Sequence, residues 1–265
     1  MGIILPLILI GGGLAAIFYF RPKTQNNITE IKYMQTKSIQ DLKNMFSQMD
    51  ESGVGNQYRE FVELKGSIVS ENLVQTPFSN KEVAYFESRV AQVVERKEEY
   101  TDSDGNRKIR TNRVENEISS DKSSQDISLK DGSSNDTVVL DINASGCNLD
   151  IPKTFDRFEP KNNVTNYSYF NSFSLNRYGA DTLGFKMTEE TIDANQRLYV
   201  IGEAYKSGNQ IHIGKPQDSK KPFIVTTRTE EDIINSSTKK ALYLLVGGII
   251  AVLAGAVMMF SMLVK

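Results

Sequence analysis

One cysteine, Cys147, and one histidine, His212, are the whole supply of thiol and imidazole in this 265-residue chain. A structural zinc site takes four Cys or His ligands, so these residues cannot furnish a zinc finger or a RING, and they form no disulfide framework. A Ser-His-Asp or Cys-His centre would have to use His212. That residue sits in Gln210-Ile-His-Ile213, an alternating segment that predicts a strand carrying an ordinary surface or half-buried histidine. Carboxylates are abundant, but no pair stands out by spacing for acid–base work. Ser, Lys and Asp chemistry stays open as a third reading, a membrane hydrolase. The residues therefore single out no catalytic, cofactor-binding or metal-ligating side chain. Lys and Arg number 31 against 33 Asp and Glu, a net charge of −2. With no excess of basic residues, nothing points to nucleic acid as a partner.

The elements that must position any site start and end in membrane. Residues 2–20 and 241–264 carry no charged side chain, and each is long enough to cross a hydrocarbon core of about 30 Å as a helix. The first is a membrane anchor rather than a cleavable signal, because no basic side chain precedes it and its apolar run exceeds a usual signal core. Two crossings put residues 21–240 on one side. Arg21, Lys23, Lys32, Lys37, Lys239 and Lys240 flank that side, so the positive-inside rule predicts a cytoplasmic domain. Small residues recur at four-residue spacing, Gly11 with Ala15 and Gly247 with Ala251 and Gly255, faces on which helices could pair within the chain or between copies.

Between the spans the reading is a stalk at 21–57 and a β-rich domain at 58–238, an α+β membrane protein whose antiparallel soluble domain lies between two transmembrane helices. Ser38-Ile-Gln-Asp41 is a capping box, and Ile39, Leu42 and Phe46 form an apolar stripe behind it. From Tyr58 the period becomes two, with Val62, Leu64 and Ile68 facing in and Glu63, Lys65 and Ser67 facing out. A second long strand follows Thr76-Pro-Phe-Ser-Asn80, and Arg107 to Ile118 returns as its hairpin partner. Residues 98–136 read as a long polar hairpin and loop, mobile over 119–136. Val138 to Ile142 is a buried-type strand. Seven aromatics lie between Phe155 and Tyr178 (Phe155, Phe158, Tyr167, Tyr169, Phe170, Phe173 and Tyr178) and read as core before ligand groove. Thr188-Glu-Glu-Thr-Ile192 suggests a short capped helix, three strands follow, and Thr229-Glu-Glu-Asp232 caps a helix that can run into the second span.

This order resembles the MULAN or GIDE family of membrane-anchored proteins, named for a mitochondrial E3 ubiquitin ligase and carrying the BAM/GIDE type of domain. The resemblance rests on Phe61-Val-Glu-Leu-Lys-Gly66 with Thr76-Pro-Phe-Ser79, on Val139-Leu-Asp141 with Gly146, and on Gly184-Phe-Lys-Met-Thr-Glu189 leading to Leu198-Tyr-Val-Ile-Gly-Glu-Ala204. Ile213-Gly-Lys-Pro216 and Pro222-Phe-Ile224 extend it. The family's ligase carries a RING after its second helix, and this chain has no ligands for one, so the resemblance implies a short, RING-less, prokaryotic-like member. It implies a membrane-proximal binding or scaffold domain without its own catalysis, engaging a membrane or envelope protein besides the lipid bilayer, with homo-oligomers as a further option. The alternative it implies is an E3 ubiquitin-protein transferase subunit that acts with a RING supplied elsewhere.

Overall fold

The computed structural model describes residues 4–25, 33–70, 72–102, 105–164, 169–170 and 181–263. Helix α1 starts at Ile4, passes through a π-helical turn at Ala16–Phe20 and ends at Gln25. Helix α2 (Ile39–Glu51) opens on the expected capping box, with Asp41 N donating to Ser38 Oγ at 3.0 Å. The third helix, α3 (Glu230–Leu263), opens on a reciprocal Thr229–Asp232 cap and continues unbroken through the second apolar run. Helices α1 and α3 are each long and apolar enough to cross a bilayer and flank the β domain, so this is an integral membrane protein with two spans.

Five strands of the domain close on themselves. β1 (Arg59–Val69) pairs with β11 (Arg197–Ser207) over residues 59–67 and with β6 (Ile127–Lys130) over 67–69. The ring runs on through β7 (Val138–Leu140) and β12 (Gln210–Gly214) back to β11, with β7 and β12 parallel and the other pairs antiparallel. This strand path is that of an OB-type Greek-key barrel. Alternation fills its interior with Val62, Leu64, Ile68, Ile127, Leu129, Val138, Leu140, Leu198, Val200, Ala204, Ile211 and Ile213. Gly66 and Gly202 hold two inward positions. A Cβ on Gly66 would stand 2.6 Å from Lys130 O, and one on Gly202 would stand 2.8 Å from Ile213 Cγ2, so the barrel closes only where these side chains are missing. The α2 stripe plugs the barrel, with Ile39 and Leu42 0% and Phe46 3% exposed.

Two long excursions leave the barrel, one between β1 and β6 and one between β7 and β11. Two short strands, β2 (Val74–Gln75) and β3 (Glu82–Val83), frame the Thr76–Asn80 turn in the first. The first excursion also supplies β4 (Tyr85–Thr101) and β5 (Arg107–Lys122). The second supplies β8 (Asn148–Asp150), β9 (Lys153–Pro160) and β10 (Thr182–Ile192). Strands β5-β4-β10-β9 make a separate four-stranded antiparallel sheet. Its buried face carries Val90, Phe185 and Met187, packed by Phe78, Val164 and Phe170, with Phe155 and Tyr169 at the margin. These aromatics are core; Phe158 lies 46% exposed, and Tyr167, Phe173 and Tyr178 lie outside the described residues. The last strand, β13 (Ile224–Thr226), pairs antiparallel with β11 and parallel with β8.

Three expectations are corrected. Residues 119–122 and 127–130 are strand rather than loop: β5 runs on to Lys122 beside β4, and Ile127 and Leu129 reach the barrel core from an otherwise polar segment. Thr188 to Ile192 is the end of β10 rather than a helix: Met187, Glu189 and Thr191 alternate inward, and a helix would scatter them around its axis. Glu63 is 1% exposed rather than solvated, since Tyr199 and Thr36 cover its carboxylate.

Candidate functional site

The stretches that carried the family resemblance interlock. The Tyr199 hydroxyl donates to Glu63 Oε2 at 2.7 Å, joining β1 to β11 beneath the barrel surface. Lys65 Nζ lies 3.0 Å from Glu63 Oε1 and 2.7 Å from Glu230 Oε2 at the start of α3. Ile233 and Ile234 of α3 pack on Tyr199 and Ile201. An ion pair and an apolar seam therefore seat the barrel on its membrane helix. Burial and then the Glu63 carboxylate push the Tyr199 phenol up, so it stays a neutral donor.

A second clip joins the two excursions. The Glu189 carboxylate, 0% exposed, accepts from Phe78 N at 2.5 Å, from Ser79 N at 3.2 Å and from Ser79 Oγ at 2.5 Å. The turn it holds places Asn80 at φ 54°, a left-handed conformation that asparagine tolerates. Thr76-Pro-Phe-Ser79 and Gly184 to Glu189 are thus two halves of one structural joint.

His212 lies half-buried on β12, its Nδ1 2.9 Å from Asp141 Oδ1. Asp141 also accepts from the Tyr205 hydroxyl. Arg59 stacks over the Tyr205 ring at 4.7 Å and reaches Glu203 Oε1 at 3.4 Å. Burial, then Asp141, pushes the Tyr205 phenol up to about 12, and burial, then Glu87, pushes the Cys147 thiol up to about 12. A thiol so perturbed is a poor nucleophile at neutral pH. Among the described residues, no three His, Cys, Asp or Glu side chains gather as a metal set.

The helix crossing differs in detail from the expected faces. Gly13, Gly248 and Gly255 make the close approach: a Cβ on Gly248 would stand 2.9 Å from Gly13 O, and one on Gly255 2.8 Å from Pro6 O. Of the five residues read as pairing positions, Gly255 lies in the crossing, and Ala15 and Ala251 are partly covered. Gly11 and Gly247 face outward, with nothing within 4 Å of an added Cβ. Residues 248 and 255 stand seven apart, two helical turns, and share a face that 247 leaves by about 100°.

The least committed surface is an arm. Strand β4 pairs with β10 only as far as Val94, yet it runs with β5 to Thr101 opposite Arg107. Residues 95–101 are all exposed, so beyond the sheet this ribbon packs on nothing described. Cross-strand partners place Arg96, Glu98, Tyr100, Lys108, Arg110 and Asn112 on one face. Near its end Asp102 accepts from Asn106 N at 2.8 Å and pairs with Lys108 at 2.8 Å. Tyr100 is 47% and Ile109 66% exposed there. The sequence marks the hairpin but not that it outruns its sheet, which shows only in the structure, where strands of 17 and 16 residues stand against the 11 of β10.

The family model described as "GIDE: E3 Ubiquitin ligase" matches residues 95–259, more than half of the 265-residue chain. The chain belongs to the GIDE family. The match opens at the base of the arm and takes in Glu189, the closing strands of the barrel and most of α3. β1 and the Thr76–Ser79 turn lie outside it and are tied to it by Glu63 and Glu189. No curated protein and no solved structure matches the chain.

Proposed function

We propose that this GIDE protein is a membrane-proximal binding domain that engages a protein partner through the β4–β5 arm and is non-catalytic in itself. The observation that carries this reading is the arm: a ribbon that contributes nothing to either core and presents Tyr100 on one face and Ile109 on the other, among Arg, Lys and Glu side chains. Aromatic and arginine side chains on a ribbon of this kind are what a protein partner buries first. The open edge of β5 offers backbone groups to an added strand, while its charges guard it against its own copies. The joint at Glu230 supports the same reading, since it gives the arm a fixed bearing over the bilayer. The chemistry-bearing side chains, by contrast, are absorbed in structural pairs.

The test replaces residues 98–110 with an Asn-Gly turn. The shortened protein should keep its thermal midpoint and lose its membrane-protein partner on affinity purification, measured by quantitative mass spectrometry against the full chain. Retention of the same partner at the same yield would overturn the assignment to the arm.

The family description favours a second reading, a subunit of an E3 ubiquitin transferase. One cysteine and one histidine cannot ligate the zinc ions of a RING, so the RING would be supplied from outside these 265 residues. Reconstitution with ubiquitin, activating and conjugating enzymes and a RING partner decides it: conjugation that depends on this chain supports the reading, and none sinks it.

A further inference from the structure

Between the membrane helices and the barrel lies a cavity of about 440 Å³ that neither the arm nor the polar pairs use. Strands β8 and β13 roof it. Their parallel register sets Asn148 opposite Ile224 and Asp150 opposite Thr226, and alternation sends Leu149 and Val225 into the core while these four line the cavity. The ends of the two spans form its walls, through Phe20 and Lys23 of α1 and Lys240 and Leu244 of α3.

Depth in the bilayer follows from the same residues. Tyr19 and Tyr243, 64% and 72% exposed, mark the aromatic belt at the membrane surface. Lys23 and Lys240 lie about one helical turn, roughly 5 Å, beyond Phe20 and Leu244. That is headgroup depth. The cavity holds three cations against one carboxylate, and Arg228 is already paired with Asp150 at 3.1 Å. Among the described residues, no carboxylate forms an ion pair with Lys23 or Lys240. Asn148 and Ser237 add polar donors to the same lining.

We propose that this cavity binds the phosphate of an anionic phospholipid from the leaflet that faces the domain, with Lys23 and Lys240 as the recognising cations. A zwitterionic lipid brings its own cation and leaves the excess positive charge uncompensated; a net-negative headgroup neutralises it. The acyl chains run down past Phe20 and Leu244 into the bilayer. Basic pockets between membrane helices take anionic headgroups for this reason. The inference rests on the two spans and is independent of what the arm binds.

Native mass spectrometry of the full chain, exchanged into mixed micelles of equal phosphatidylglycerol and phosphatidylcholine, tests it. Phosphatidylglycerol should be retained in preference. Lys23→Gln or Lys240→Gln should each lower the retained ratio about fivefold and the pair about twenty-five-fold, at roughly the strength of one juxtamembrane cation each. Lys23→Arg and Lys240→Arg should keep the preference, as should Lys220→Gln, an exposed cation outside the cavity lining. Thermal midpoints verify that each variant is folded. Equal retention of the two lipids by the unaltered chain, or an unchanged ratio in the folded double variant, would overturn the site. Displacement of the lipid by inorganic phosphate would overturn the lipid as its occupant and leave a soluble-anion site.

Discussion

Glu189→Ala should cost about 3–5 kcal/mol of stability, because it strands the Phe78 and Ser79 N–H groups, while Ser79 Oγ keeps Thr76 Oγ1 at 2.8 Å as its partner. The carboxylate is 0% exposed and accepts from two backbone N–H groups and one hydroxyl, all in the Phe78-Ser79 dipeptide. A charge-assisted hydrogen bond is worth about 1.5–3 kcal/mol, and three to one group do not add in full, so the truncation falls at about 3–5 kcal/mol rather than at their sum. Glu189→Gln keeps the shape but turns one acceptor into a donor facing N–H groups, and should cost about 1.5–3 kcal/mol. Chemical unfolding in detergent gives the loss. Hydrogen exchange localises it, with the Phe78 and Ser79 amides losing protection in both variants while the barrel amides of β1 and β11 keep theirs at low denaturant. A loss below about 1 kcal/mol in Glu189→Ala, or unchanged protection at Phe78 and Ser79, would refute the claim that this joint holds the two excursions together.

Phe46→Ala should destabilise the domain by about 3–5 kcal/mol, measured by the same unfolding, because Phe46 is 3% exposed in the barrel plug. Gly248→Leu should cost about 1–3 kcal/mol through overpacking of the helix crossing, whereas Gly247→Leu should leave the thermal midpoint in detergent unchanged. Tyr58 and Tyr205 carry phenols pushed up to about 12 from an ordinary value near 10, by burial first and then by Glu60 and Asp141. Raised folded values stabilise the fold fully below pH 10 and lose that contribution as pH climbs from 10 through 12, so the thermal midpoint should fall across that window, and less steeply in Tyr205→Phe.

The local periods were readable. The Ser38 cap with its Ile39, Leu42 and Phe46 stripe, the alternation after Tyr58, the hairpin return at Arg107 and the Thr229 cap all depend on neighbours within a few residues. Barrel closure was not, because β1 meets β11 across register pairs such as Glu63 and Ile201, and no short-range pattern encodes that pairing. β6 hid for a different reason: four residues between polar turns carry too little alternation to stand apart from loop. Glu63 and Glu189 look solvated one residue at a time. Glu189 alternates inward with Met187 and Thr191, a parity that was legible once β10 was read as strand. In the sequence Lys23 and Lys240 are only charges flanking the spans, and their shared cavity exists only after the barrel sits on α3.

Photo-crosslinking from Ile109 in native membranes tests partner docking through the arm most directly. A benzophenone side chain at position 109 should yield one discrete protein adduct, lost when the same group is moved to Lys220, an exposed position in the β12–β13 connection. No adduct from 109, or the same adducts from both positions, would contradict it.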